Sequence, residues 1–407
     1  MKRLYTRASN LLLNFLSFFF LYCVLLVKYP INIRRTKKKL TNIKNVAWFG
    51  AYGNGNIGDD LIFYSLKRLL FKKNIKINLS IRNLNFSRNY GCETFQKGEQ
   101  LYDFWRYIKI VRNSDIVVLG GGGLFEFYYP SWPAFRMVVI YLCPLIIAFI
   151  FNKPSIIVGV GVNNYKHTNL LIRLMFRLTL NTTCKILTRD QKSKDGLIKN
   201  RINTNIKSTF DPVLSLDYLH EKRDFVENKS KKKIGVLLWP YFLWPHFYDN
   251  SRKIPNEKIL KHKKLVNEWR KLENSLMKDF EFIYLTFHFS DVLLYKELGV
   301  EYIESSNLGS FYKGIMDVDM IISMRYHGII TSINFGKPVI SINVQEKMWA
   351  IMEEFNMEKF QSSVEDFKSE NILKVIDYVF ENYSDITKDL ANNKTRIREQ
   401  LLKSYKL

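Results

Sequence analysis

Apolar runs that stop at glycines and restart with helical spacing recur along most of this chain. VAWF at 46–49 breaks at GAYGNGNIGDD and resumes as LIFYSLKRLLF, the pattern of a strand, a glycine loop and an amphipathic helix. The alternation continues through DIVVLGGGG at 115–123, a long apolar stretch at 134–151, SIIVGVGV at 155–162, a helix near 168–180, KILTRD at 185–190 and STFDPVL at 208–214. The charged segment HEKRDFVENKSKKK at 220–233 interrupts it. A second cycle follows: IGVLLW at 234–239, a helix near 256–278, FIYLTF at 282–287 and DMIISM at 319–324. It closes with a helix from His327 to Phe335, KPVISI at 337–342 and helical sequence from about 346.

Strands alternating with helices in this way predict parallel sheets with helices on both faces. The expected fold class is α/β: two Rossmann-like doubly wound domains facing a ligand cleft. The expected division is a hydrophobic helix and basic linker over 1–44, an N-terminal domain over 45–219, a charged linker over 220–233, and a C-terminal domain with closing helices over 234–407. The stretch 134–151, apolar nearly all round, is either a buried helix or a second membrane-contacting surface.

Length and composition agree with two domains: 407 residues and 47% apolar content suffice for two cores. Charge adds more. Lys and Arg number 62 against 38 Asp and Glu, a net of +24, which attracts anionic lipid, polyphosphate or nucleic acid. A coding bias toward Lys and Asn would produce the same excess. No nucleic-acid-binding module accompanies the charge, so nucleic acid is not expected as a partner.

Residues 11–27, LLLNFLSFFFLYCVLLV, lie between Lys2, Arg3 and Arg7 on one side and the Arg34–Lys39 cluster on the other. The run is at the short limit for a spanning helix, and Lys28-Tyr29-Pro30 is a poor signal-peptidase site. An anchor or interfacial helix on the cytoplasmic face of the membrane fits both the run and its basic flank. A signal peptide and a helix docked on the protein itself stay open. Cys23, Cys92, Cys143 and Cys184 show no metal or redox spacing and read as reduced, mostly buried thiols.

Four segments carry candidate chemistry. GNGNIGDD, Gly53 to Asp60, joins a strand to a helix, so its amides can approach an anion at the helix N-terminus. Asn56 and Asp59 are its ligand candidates, while Asp59 and Asp60 also suit helix capping. Gly120 to Gly123 exceed what a tight turn needs; close approach or positive φ is implied, with Gly121 and Gly122 as contacts and Glu126 as an acceptor for a hydroxyl. Thr188-Arg189-Asp190 puts a guanidinium at a strand's carboxyl end, where it meets either an anionic ligand or a neighbouring Asp190 or Asp195.

The fourth, Ser323-Met324-Arg325-Tyr326-His327-Gly328, sets a permanent cation and a titratable imidazole at one helix N-terminus. Lys347, twenty residues beyond His327, follows the next strand. His288, just past FIYLTF, is a cleft candidate, whereas His167, His220, His246 and His262 read as surface residues. HExxH, GxSxG and CxxC are absent, which leaves metalloprotease and serine-hydrolase readings without support. No metal site is expected.

The ordered set GNGNIGDD, GGGG, VGVGV, TRD, Asp211-Pro212 and above all SMRYHG followed by GKPVI resembles the polysaccharide pyruvyl transferases over residues 46–355. The resemblance implies a fold like that of two-domain glycosyltransferases of the B architecture. It also implies a transferase with phosphoenolpyruvate as co-substrate and no separate cofactor, making a pyruvate ketal on a sugar of a cell-surface glycan or its lipid-linked precursor. It assigns His327 as general acid and Arg325, Arg189 and Lys347 as donor-binding cations. Tyr326 departs from the aliphatic residue common between that Arg and His. A nucleotide-sugar glycosyltransferase and a non-catalytic membrane-associated member of a glycan-assembly complex are the competing readings.

Overall fold

The computed structural model describes residues 20, 22–28, 42–71, 74–81, 90–96, 101–126, 132–163, 170–216, 231–244, 254–305 and 308–405. Two compact units emerge. The first comprises Met1–Asn54, Asp59–Pro212 and Leu401–Leu407; the second comprises Gly55–Gly58 and Val213–Gln400. Against the expected spans 45–219 and 234–407, residues 55–58 and 213–219 fall in the second unit and 401–407 in the first.

In the first unit, seven parallel strands lie in the order β3-β2-β1-β4-β5-β6-β7. They are β1 (Asn45–Phe49), β2 (Lys76–Ile81), β3 (Glu93–Gln96), β4 (Ile116–Glu126), β5 (Ser155–Asn163), β6 (Lys185–Thr188) and β7 (Ile206–Ser208). The helices are α1 (Ile57–Leu70), α2 (Leu101–Arg112), α3 (Trp132–Ile150), α4 (Leu170–Asn181) and α5 (Gln191–Lys199). Strand order reverses between β1 and β4, the point at which an open sheet leaves a crevice at its carboxyl edge. Alternate strand residues serve opposite faces. Ala47, Phe49, Val117, Leu119 and Ile157 join a core with α2, α3 and α4, while Trp48 on the other face packs edge-on against Phe63 of α1 at 5.0 Å.

The long apolar stretch forms α3, and Leu142 and Leu145 to Ala148 are fully buried in this core. Of the predicted 11–27 run, residues 11–19 and 21 lie outside the described residues. Residues 22–28 are helical; Tyr22 and Leu25 enter the same core, and Lys28 Nζ donates to the carbonyl of Ile150 at 3.2 Å. Among the described residues no helix is long and apolar enough to cross a membrane. At the other terminus, Tyr405 is buried, its hydroxyl 3.3 Å from that of Thr209, 196 residues away. All four cysteines are free thiols, but only Cys143 is buried: Cys92 and Cys184 are half-buried, and Cys23 is exposed because Tyr22 and Leu25 take the inward side of its helix.

The second unit repeats the topology with β8 (Lys232–Leu237), β9 (Phe280–Leu285), β10 (Tyr302–Ile303), β11 (Met320–Ser323), β12 (Val339–Asn343) and β13 (Gln361–Ser363). All are parallel, in the order β10-β9-β8-β11-β12-β13. Its helices are α6 (Asn256–Leu276), α7 (Asp291–Leu298), α8 (Leu308–Asp317), α9 (Tyr326–Asn334), α10 (Glu346–Glu354), α11 (Ser369–Glu381) and α12 (Tyr383–Ser404). The order reverses between β8 and β11, so Leu237–Trp239 and Ser323–Arg325 end at the same crevice. One surface expectation fails: His262 is 3% exposed and its Nε2 lies 2.7 Å from Glu297. It shares the inward face of α6 with Leu265, Val266 and Trp269, at the three- and four-residue spacing that defines such a face. His167, His220 and His246 lie outside the described residues.

A carboxylate fixes the start of α11. Glu268 accepts from the Ser369 amide and hydroxyl, both at 3.0 Å, and from Lys271 at 2.7 Å. The Lys271 hydrogen bond first, and the Ser369 amide next, pull its pKa from 4.5 to about 2. A folded-state value below the unfolded one gives stability that is present above pH 4.5 and lost as pH falls toward 2. Glu268→Gln should therefore flatten the fall in urea midpoint across that window. An unchanged acid slope would remove Glu268 from the account.

Candidate functional site

The strongest constellation lies in the second unit, at the crevice between β8 and β11. Ser323 closes β11, and its hydroxyl both accepts from the Arg325 amide at 3.0 Å and donates to the Arg325 carbonyl at 2.9 Å. This tight turn leaves Arg325 extended, at φ −114° and ψ 126°, as the N-cap of α9. His327 then falls in the first turn of α9, among amides with no intrahelical partner. Gly328 is required there: a Cβ would stand 2.4 Å from Ser323 Oγ and 2.8 Å from Leu237.

Arg325 is gripped from two sides. Its guanidinium donates to the carboxylate of Asp291 and lies 4.4 Å from the ring centre of Trp239, which ends the β8 run, within cation–π range. Asp291 is fully buried and also accepts the amides of Phe287 and His288, each at 2.9 Å. Complete burial pushes its carboxyl up, and Arg325 and the two amides pull in the opposite direction. Arg325 Nε and Trp239 Nε1 are buried with no hydrogen-bond partner.

His327 meets a different neighbour. A Cβ on Gly58 would stand 2.3 Å from His327 Nδ1, so only glycine lets the imidazole approach the first turn of α1. The tetrapeptide 55–58 belongs to this unit: Asn56 forms an antiparallel bridge with His288, and the Ile57 amide donates to Phe287 at 3.0 Å. Asn56 Oδ1 accepts the Gly58 amide at 3.0 Å. Contacts therefore run in a closed circuit from His327 through Gly58, Asn56, His288 and Asp291 to Arg325. Tyr326 completes one flank, its ring 5.1 Å from that of His327 and 5.3 Å from Lys347 Nζ.

Of the residues predicted for the site, Asn56, His288, Arg325, His327 and Lys347 thus lie in one unit. Asp59, Gly121, Gly122, Glu126 and Arg189 lie in the other. There the glycine run continues β4 instead of ending it; Gly121 and Gly122 hold φ of +84° and +79°, and a Cβ on Gly122 would stand 2.8 Å from Asp59 Oδ1. Asp60, beside Asp59, is spent on local structure: it accepts the Gly53 amide at 3.1 Å and the Tyr90 hydroxyl at 2.8 Å. Glu126 accepts from Arg189 within a pair whose side chains are 8% and 3% exposed. Gly161 lies against the guanidinium, with 2.3 Å between a built Cβ and Arg189 Nη2. Asp190 caps α5 by accepting the Ser193 amide. Sequence reading did not single out Gly58, Trp239 or Asp291. The carboxyl-edge rule pointed to Trp239, but nothing along the chain ties Asp291 to Arg325.

Each unit alone offers polar groups at the carboxyl edge of a parallel sheet. In the second, a guanidinium, an ammonium and an imidazole gather at one helix N-terminus, an arrangement suited to a multiply charged anion that also receives a proton. Among the described residues no group of His, Cys, Asp or Glu is arranged to hold a metal ion.

The model of one family, Polysaccharide pyruvyl transferase, matches residues 56–346. The amylovoran biosynthesis protein AmsJ of Erwinia amylovora is 29% identical over 72 residues. That alignment covers 18% of this chain and only 17% of the relative's length. Among solved structures, Anabaena Alr3699/HepE in complex with UDP-glucose superposes with a TM-score of 0.57 at 10% identity, over 89% of this chain and 97% of the other. The UDP-GlcNAc 2-epimerase of Neisseria meningitidis gives 0.53 at 15% identity, over 88% and 100%. These likenesses show the α/β fold of two Rossmann-like sheets.

Proposed function

We propose a donor and a reaction for this chain, which belongs to the polysaccharide pyruvyl transferase family. The donor is phosphoenolpyruvate and the acceptor is a sugar of a cell-surface glycan or of its lipid-linked precursor; the relative in Erwinia amylovora is named for amylovoran biosynthesis. The observation that carries this reading is the juxtaposition of His327 with Arg325 at the start of α9, one held against Gly58 and the other by Asp291 and Trp239.

Phosphoenolpyruvate carries a phosphate and a carboxylate, so its binding calls for two or three cations. Arg325 and Lys347 take that role in the second unit, and the amides of the α9 first turn add to it. Protonated His327 gives its proton to the methylene carbon, and the double-bond electrons form the new C–H bond. A sugar hydroxyl oxygen then bonds to the cationic C2 and releases its proton. Phosphate departs with the electrons of its bond to C2. A neighbouring hydroxyl closes the ketal and releases a second proton; one proton restores His327 and the other goes to phosphate. Asn56, Asp59, Gly121, Gly122, Glu126 and His288 are acceptor-side or donor-side candidates. The apolar and basic N-terminal segment keeps the enzyme at the cytoplasmic face of the membrane, close to a lipid-borne acceptor.

The test is incubation of the full chain with phosphoenolpyruvate and a membrane glycolipid extract, reading phosphate release together with acid-labile pyruvate on glycan. Both signals are expected in stoichiometric amounts. Nucleotide release from a nucleotide sugar, with no dependence on phosphoenolpyruvate, would replace this reading with glycosyl transfer.

A further inference from the structure

One helical layer of the first unit carries a disproportionate share of exposed apolar surface. α2, α3, α4 and residues 22–28 cover the same face of the seven-stranded sheet, contributing Tyr107 and Val111, Leu145 and Ile146, Ile172 and Phe176, and Tyr22 and Leu25 to one core. Exposed apolar residues stand on three of these elements: α2, α4 and the N-terminal helix. On α4, Leu170, Leu171 and Leu174 are 81%, 54% and 47% exposed. On α2 Trp105 is 65% exposed, and on the N-terminal helix Val27 is 70% exposed. Residues spaced by three, four or seven share a helix face. The outward face of α4 thus joins Leu170 and Leu174 to Arg177, and that of α2 joins Trp105 to Lys109 and Arg112, both exposed. α4 contains no acidic residue.

Scattered exposed apolar residues are ordinary, but several gathered on one helical layer beside cations mark a docking surface. This one has the composition of an interfacial membrane contact: leucines to enter the acyl boundary, a tryptophan at headgroup level and arginines or lysines beside them. We infer that this layer of the folded unit lies on an anionic bilayer surface, as a second contact beside the N-terminal segment. The inference rests on the membrane reading above and extends it from a tether to a fixed orientation. The occupant is lipid because the flanking charges are cationic and complement an anionic leaflet. The core anchorage of Tyr22 and Leu25 also puts the end of the apolar 11–27 run on this same layer.

The experiment uses the full chain with vesicles of phosphatidylcholine and phosphatidylglycerol, some bearing brominated acyl chains. Brominated lipid should quench tryptophan fluorescence in wild type and in Leu170→Ser/Leu171→Ser/Leu174→Ser to different extents, with the triple variant several-fold less quenched. Its partitioning should also fall by about tenfold, from lost apolar contact. Trp105→Phe should remove most of the quenchable signal without changing partitioning greatly. Vesicles of phosphatidylcholine alone should bind less in every case. Equal quenching in wild type and Trp105→Phe, or unchanged partitioning of the triple variant, would overturn the proposal. A mass shift from dimer to monomer in the triple variant without a change in vesicle binding would overturn it too, assigning the layer to a second copy. Phosphate release from a detergent-solubilised extract should be unaltered in all these variants, so failure of the membrane contact is distinguishable from failure of pyruvyl transfer.

Discussion

Replacing His327 with glutamine is expected to lower kcat for phosphate release by about 10²–10⁴-fold, the usual contribution of a positioned general acid, with the donor KM close to wild type. Glutamine keeps a polar group of similar reach in the first turn of α9 but has no proton to give at neutral pH. Because His327 stands against Gly58, the smaller His327→Ala variant also loosens the 55–58 segment and should raise KM in addition. Steady-state phosphate release separates the two effects. A glutamine variant retaining a tenth or more of wild-type kcat would move the proton donor elsewhere.

The second large effect concerns Asp291. Asp291→Ala leaves the Arg325 guanidinium without its carboxylate and strips the Phe287 and His288 amides of their acceptor. Breaking a buried pair by removing one partner costs about 3–5 kcal/mol, and the urea midpoint of the second unit should fall accordingly. Removing the cation as well, in Asp291→Ala/Arg325→Met, should recover part of that loss, because the uncompensated charge has gone. Donor KM should rise in the single variant, since Arg325 then rests on Trp239 alone. If Asp291→Ala matches wild type in both midpoint and KM, the pair has neither role.

Strands with continuous apolar runs were legible from sequence because a strand buried on both faces cannot alternate. β1, β4, β5, β8, β11 and β12 all read this way, with their glycine punctuation. The sequence pattern singles out neither β2, β3 and α2 nor α5, α7, α8, β10 and β13. β2 is KINLSI, an alternating strand near the sheet margin, and β3 has only four residues; neither offers the uninterrupted run that drew attention elsewhere. α2 buries Tyr107 and Val111 but shows Trp105, Arg106 and Lys109 to solvent, so its sequence has no continuous apolar run to mark it.

The candidate residues are legible to the extent that they sit at strand ends. Arg325, His327, Lys347 and Arg189 stand where the carboxyl-edge rule puts ligand contacts. Their partners are a different matter. Asp291 is 34 residues from Arg325 and Glu126 is 63 from Arg189, and the docking of Gly58 on His327 spans most of the chain. Such pairs depend on how sheets bring distant turns together, and no local periodicity encodes them. The glycine at 58 was visible as a letter, but its use as a flat seat for an imidazole was not.

The burial of Tyr405 bears on how this protein is made. The first unit includes Leu401–Leu407, with Tyr405 1% exposed beside Thr209. During synthesis domains ordinarily fold in the order they emerge, yet here the half translated first lacks an internal aromatic until residue 405 has been made. Its final consolidation waits until residues 401–405 have left the exit tunnel. A ribosome stalled shortly before residue 400 would hold a nascent chain whose first unit still has an open seam at Thr209.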